Sequence, residues 1–216
     1  MSKYPVREDT SGEINRYTDD TWNGYLANVA RSDFYEKYEN LLPEKMYKQE
    51  YLNKHHIHVD PFSPLKEGVV YNVRANTRYA VEENMRVQLF SELSRGASKA
   101  PTKRSFTLMG ELMYQSHYAY TECGLGAKAT DYLVNLCKKE GIANGIYGAK
   151  ITGGGAGGTV AILADKKAGA TVKKIFDTYA AAKLGEPYLF EGSSDGADTF
   201  GIKVVNARPA DTGRTG

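Results

Sequence analysis

Residues 151–160 read ITGGGAGGTV, which places five glycines in the six positions 153–158. On one side stand Tyr147, Ala149 and Ile151, on the other Val160, Ala161, Ile162 and Leu163, so the glycines interrupt a core and are not a linker between domains. Two apolar runs of strand length joined by so short a segment require a tight reversal of the chain. Glycine also accepts positive φ and lets backbone N–H groups approach a ligand, and successive inward-turned N–H groups form an anion-binding concavity. Gly153, Gly155 and Gly158 meet the spacing of the dinucleotide fingerprint, but that motif opens a helix and the run after Gly158 is strand-like. A Walker loop ends in Gly-Lys-Ser/Thr, and here Thr159 follows Gly158 with no lysine. Two readings remain, a phosphate-facing loop and a close-packed hairpin turn with no ligand.

The remaining composition excludes several classes. A chain of 216 residues with 41% hydrophobic and 25% charged residues is that of an ordinary globular protein with a substantial core. A net charge of +2, with the basic residues scattered, gives no phosphate-neutralising face; the basic cluster KAPTKR at 99–104 contains Pro101 and reads as a solvated loop, so no nucleic-acid partner is expected. Cys123 and Cys137 lie 14 residues apart, outside any metal-ligand spacing, and the histidines of HHIHVDPFSPL at 55–65 lack an acidic or thiol partner at a recognisable spacing. No bound metal is expected from these residues, and the His segment reads as a loop. No apolar run reaches the ~20 residues of a membrane span and the N-terminal segment is polar, so the expectation is a soluble cytoplasmic protein without a membrane partner.

Along the chain, residues 1–20 form a polar lead-in, and 21–206 carry the structured domain, beginning with an aromatic-rich stretch from Trp22. Helical periodicity starts near Thr77, an N-cap candidate, with Ala80, Val87, Phe90 and Leu93 on the apolar face. A second helix from Ser105 places Phe106, Met109, Met113, His117 and Tyr120 on one stripe, and a third, 127–140, stops at Gly141. Strands follow at IYGAKIT and TVAILA, then a helix with Val172, Ile175, Phe176 and Tyr179 on one face, then strands at PYLFEG and FGIKVV. The tail, 207–216, is polar and expected to be disordered. Helices followed by a β-β-α-β-β series give an α+β fold, a mainly antiparallel sheet with helices packed on one face.

YGAKITGGGAGGTVAIL resembles the third, C-terminal motif of the GHMP sugar and isoprenoid kinases. RYAVEENMRV at 78–87 is similar to the galactokinase segment Arg-x-x-His followed by Glu-Asn-x-Arg-Val, with Tyr79 near the place of the histidine. GELMYQSHYAYTECGLGAKATDYLV at 110–134 resembles the segment with Met-x-x-Ser-His and a later Asp, matched by Met113, Ser116, His117 and Asp131. With WNGYLANV and FEGSSDGADTFG added, five ordered segments from 22 to 201 resemble the arabinokinase-like branch of the family.

The resemblance implies the C-terminal half of a GHMP kinase, a ferredoxin-like core with preceding helices, and ATP- and Mg2+-dependent phosphorylation of a sugar at its anomeric hydroxyl. It implies that Thr152, Gly153, Gly154, Gly155, Gly157 and Gly158 line the nucleotide and sugar cleft, with Asp131 and His117 as substrate-side candidates. For those two the residues alone also allow a buried helix-to-helix hydrogen bond. Arg78 and Arg86, eight apart on a helix, make a poor joint phosphate clamp, and Ser193 and Ser194 are lesser candidates for the cleft. Ala156 stands where galactokinases often carry Phe.

The family's first motif and its serine-rich phosphate loop, with the catalytic base, are not in this sequence. The expected partner is therefore an N-terminal kinase half, in the same chain or a separate subunit, without which this chain is inactive. The alternatives are a non-catalytic sugar- or nucleotide-binding module and a GHMP kinase for another small alcohol.

Overall fold

The computed structural model of the chain describes residues 7–9, 16–55, 62–192 and 196–204, with only the backbone at 7–9, 16–18 and 197–198. The chain divides into two compact units, Met1–Glu186 and Pro187–Gly216.

In the first unit, β1 (Arg7–Asp9) and β2 (Arg16–Thr18) pair as a short antiparallel ribbon within the polar lead-in. The aromatic stretch then folds as a helical segment that opens at α1 (Arg31–Asp33), widens to a π turn over Phe34–Tyr38 and tightens to a 3-10 turn over Glu39–Leu41. It packs on α3 (Val73–Lys99) through a small core of Val29, Phe34 and Val81, with Trp22, Tyr35, Tyr38 and Leu42 around it. Trp22 meets Tyr38 edge-to-face at 5.4 Å between ring centroids, an arrangement that aromatic quadrupoles favour. Arg31 and Arg86 converge on Glu82, with Arg31 Nε 3.0 Å from its Oε1, so the segment is held to α3 by charge as well as by apolar contact. Between the two lie β3 (Met46–Tyr47), α2 (Lys48–His55) and β4 (Val70–Tyr71), with β3 and β4 antiparallel.

α3 begins four residues before the expected start. Its N-cap is Asn72, and Thr77 lies inside the first turns with its hydroxyl donating to the Val73 carbonyl, so Thr77 is no cap. Of the expected apolar face, Ala80, Phe90 and Leu93 are half-buried while Val87 is 58% exposed, and the residues that the helix buries are Val81 and Ala97. The aromatic segment covers Val81, and it lies about fifty residues away in sequence.

α4 (Lys103–Glu122) starts at Thr102, whose hydroxyl accepts from the Ser105 amide, and buries Met109, Met113 and His117 as the stripe predicts. α5 (Lys128–Glu140) ends at Gly141 in positive φ, as expected. β5 (Ile146–Ile151) and β6 (Val160–Ala164) are antiparallel, in register from Gly148↔Leu163 to Ile151↔Val160. α6 (Gly169–Ala181) follows. Val134 and Cys137 of α5, Ile146 and Ala149 of β5, Ala168, and Ile175 of α6 form the principal core. No helix among the described residues is long and apolar enough to cross a membrane.

In the second unit α7 (Ala197–Phe200) forms, but residues 187–191 and 201–204 are not strands, contrary to the sequence expectation. Among the described residues they have no ladder partner, and an extended run without one gains no strand hydrogen bonds. Tyr188 and Phe190 contact each other, 4.5 Å between centroids, as side chains two apart on an extended segment do. The antiparallel α+β character rests on the β5–β6 pair and the helices around it.

Candidate functional site

α4 lies against β5 at backbone contact. A methyl group on Gly110 would stand 1.9 Å from the Tyr147 carbonyl oxygen, and one on Gly148 would stand 2.4 Å from the Gly110 Cα. Only two facing glycines allow this approach. It brings the last turns of α4 onto the end of β5, where the glycine loop begins.

The Thr152 amide donates to the Thr159 carbonyl at 2.8 Å and closes the loop as a continuation of the β5–β6 ladder. Between them, Gly153, Gly155, Gly157 and Gly158 all take positive φ, and so does Ala156 at 59°. The loop folds onto the turn that joins α4 to α5. The Ala156 amide donates to the Leu125 carbonyl at 2.7 Å, the Tyr120 hydroxyl donates to the Gly153 carbonyl at 2.8 Å, and Gly155 sits so tightly that a Cβ there would lie 2.8 Å from the Leu125 carbonyl oxygen. The opposite side is open: Cβ atoms on Gly153, Gly154, Gly157 and Gly158 would meet nothing within 4 Å, and the amides of these residues find no acceptor among the described residues. Backbone donors without an acceptor on a loop held from elsewhere in the fold suit an anion.

His117 anchors the entry to this loop. Its Nδ1 accepts the Ile151 amide at 3.3 Å, and its Nε2 lies 3.2 Å from Asp131 Oδ1, to which Thr121 Oγ1 also donates at 3.4 Å. Burial pushes the His117 pKa below its ordinary value, the Asp131 carboxylate opposes this and the Lys150 ammonium adds to it.

The segment that builds this geometry matches a known domain: residues 92–181 match the family model described as "GHMP kinases C terminal". Residues 92–181 are a GHMP kinase C-terminal domain. The chain is 35% identical over 192 residues, 85% of its length, to L-arabinokinase of Arabidopsis thaliana, and 29% identical over 125 residues, 55% of its length, to galactokinase of Thermosipho africanus (strain TCF52B). It spans 18% and 32% of these relatives. Among solved structures, Lactococcus lactis galactokinase complexed with galactose resembles it with a TM-score of 0.42 at 20% identity, over 81% of this chain and 41% of that one.

Within the GHMP domain, the structure brings Thr152, the loop glycines, His117 and Asp131 into one neighbourhood. Arg78 and Arg86 are separately engaged, Arg78 with Glu39 at 3.5 Å and Arg86 with Glu82 and Glu83. Ser193, Ser194, His56 and His58 lie outside the described residues, and His55 closes α2. Sequence reasoning missed Tyr120 and Leu125 as supports of the loop. It placed Tyr120 on the buried stripe of α4, and nothing in the spacing shows that its hydroxyl reaches a carbonyl 33 residues away.

It also missed Lys150 and Glu83. The Glu83 carboxylate accepts from the Ser116 hydroxyl and Arg86, and lies 3.5 Å from the Lys150 ammonium. This cluster forms the polar end of a groove of about 520 Å³ whose walls include Val87, Phe90, Leu112 and Met113. Alternation in a strand would have shown that Lys150 lies opposite Ala149, but only the packing of α3 supplies Glu83.

The two kinds of glycine in the loop separate experimentally. Gly155→Ala meets a left-handed φ of 86° and the Leu125 carbonyl together, and is expected to cost about 2 kcal/mol and to displace the loop. Gly154→Ala has neither obstacle and is expected to change stability by less than about 0.5 kcal/mol. Urea unfolding curves of the two variants check this, and equal losses would refute the proposed anchoring of Gly155.

Proposed function

We propose that this chain supplies the glycine-loop wall of a cytoplasmic sugar kinase active site and works with an N-terminal GHMP kinase half that carries the base and the second phosphate loop. The observation that carries this reading is the loop itself: the amides of Gly153, Gly154, Gly157 and Gly158 have no acceptor among the described residues and the space beside these glycines is open, while Tyr120, Leu125 and His117 hold the loop and its entry. The likeness to L-arabinokinase over 85% of the chain supports a sugar as acceptor, and the motif resemblance implies its anomeric hydroxyl as the position.

ATP would supply the phosphoryl group, with Mg2+ neutralising its charge. The donor set fits the anionic part of that demand, since the amides of Gly153, Gly154, Gly157 and Gly158 are backbone donors without an acceptor among the described residues, each able to contribute a few kcal/mol to developing oxygen charge, about 3 where water is excluded. Among the described residues no three His, Cys, Asp or Glu side chains come together; Mg2+ needs only one or two carboxylates beside the phosphates, and this reading places those ligands in the other half. Thr152 sets the hinge of the loop, with its amide tied to Thr159. Asp131, part-exposed and bound through Oδ1, keeps its second oxygen for a sugar hydroxyl. Both nitrogens of His117 are engaged within the chain, which makes it a support of the loop.

The test is reconstitution. The chain is combined with a protein carrying the first two GHMP motifs, and phosphate transfer from ATP to a panel of pentoses, hexoses and mevalonate is followed. Transfer to a pentose or hexose that needs both components is the expected result. Transfer to mevalonate alone overturns the sugar assignment, and saturable sugar binding by the chain alone without turnover in any combination favours a binding module.

A further inference from the structure

The Thr152–Thr159 hydrogen bond fixes which amides of β5 face β6. In an antiparallel ladder hydrogen-bonded pairs alternate with pairs whose N–H and C=O groups point outward. Because Thr152 is bonded to Thr159, the neighbouring pair Ile151↔Val160 is an outward one, and the Ile151 amide points to the edge of β5 away from β6. Ile151 is 1% exposed, so water does not serve that amide, and a buried N–H left unpaired is destabilising. Its acceptor is His117 Nδ1. This donor cannot reverse its direction, so the neutral imidazole carries its proton on Nε2, which donates to Asp131.

The consequence follows from chemistry at one atom. When the ring takes a second proton, Nδ1 becomes a donor facing the Ile151 donor, and the bond that ends β5 is replaced by a repulsive contact. One residue further the loop begins, and its next support, Tyr120 on Gly153, lies one turn along the same helix.

We propose that His117 is a positioning residue that couples protonation to the glycine loop: the neutral ring holds the loop entry in its phosphate-facing form and the imidazolium releases it. This rests on the kinase reading only for its use, since the coupling itself is a property of this chain. The charged groups facing His117 are Asp131 from α5 and Lys150 from β5, and Lys150 is in turn beside Glu83 of α3; α4 itself adds the Thr121 hydroxyl, shared with Asp131. Burial and Lys150 outweigh Asp131, so the ring charges below the ordinary histidine range near pH 6.5. The loop is held at neutral pH and freed on acidification.

Amide NMR spectra of the full chain, followed from pH 8 to pH 5, test this. The expected result is that the amide signals of residues 151–158 move together with the His117 ring signals, through one midpoint below the usual histidine value. His117→Asn retains an acceptor near the Nδ1 position and does not titrate, so its loop signals should stay unchanged over the range. His117→Phe removes the acceptor, and its Ile151 amide should exchange with solvent about tenfold faster at neutral pH, the factor that corresponds to roughly 1.4 kcal/mol. If His117→Phe does not fold, Asp131→Asn provides the same test by lowering the midpoint, because it removes the charge that favours the imidazolium. Titration of the wild-type ring without movement of the loop signals, or undiminished movement in His117→Asn, overturns the proposal. These readouts need no kinase activity, so a failed reconstitution would leave them standing, and a successful one would not rescue them.

Discussion

Gly110→Ala should destabilise the protein by about 3 kcal/mol or more, although alanine is the better helix former by about 1 kcal/mol. The added methyl would lie 1.9 Å from the Tyr147 carbonyl oxygen and 2.4 Å from its carbon, and both are backbone atoms of the most buried strand. Neither can swing aside as a side chain would, so α4 must lift from β5. Lifting α4 also removes His117 from Ile151 and Tyr120 from Gly153, so the loop should lose its frame together with the core. The urea midpoint should fall with little change in slope. Gly96→Ala is the control: Gly96 lies in α3 with nothing within 4 Å of an added Cβ, and that variant should gain about 0.5–1 kcal/mol. If the two substitutions gave the same sign, backbone contact would not be what requires glycine at 110.

Ile146→Ala should cost about 3–4 kcal/mol. Ile146 opens β5 with no solvent exposure and is packed among Val134 and Cys137 of α5, Ile175 of α6 and Ala168 at its N-cap. The gap left by the removed carbons is walled by α5, β5 and α6 together, and such a site collapses poorly. Ile146→Val, which removes one methyl group, should cost about 1 kcal/mol. Thermal unfolding of both variants gives the ratio. A loss below about 1 kcal/mol for Ile146→Ala would mean that the core around α6 repacks freely.

Much of the fold was legible in the sequence because local periodicity and helix punctuation record it. The stripe of α4 through Met109, Met113 and His117 is a helical repeat, the stop of α5 at Gly141 is a backbone requirement, and β5 and β6 are apolar runs of strand length. The errors lie where a distant segment decides. In α3, Val81 is buried and Val87 is exposed because the aromatic segment around Phe34 packs on Val81 and does not reach Val87. Residues 187–191 and 201–204 have strand composition, but strand formation depends on a partner that composition does not name. At the site, the resemblance of the motifs brought out His117 and Asp131, while Tyr120, Leu125, Lys150 and Glu83 became visible only through contacts across 30 or more residues of chain.

The sequence by itself determined that five glycines interrupt a core between two strands and that their backbone is free to present N–H groups, because glycine's conformational range belongs to the residue. The tertiary structure decided which side of the loop is packed and which is open. Gly110 and Gly148 admit α4 to the edge of β5, and from there Tyr120, Leu125 and His117 hold the loop and its entry, while the space beside Gly153, Gly154, Gly157 and Gly158 stays open. A turn has two sides in any sequence, and only packing at van der Waals distance closes one of them.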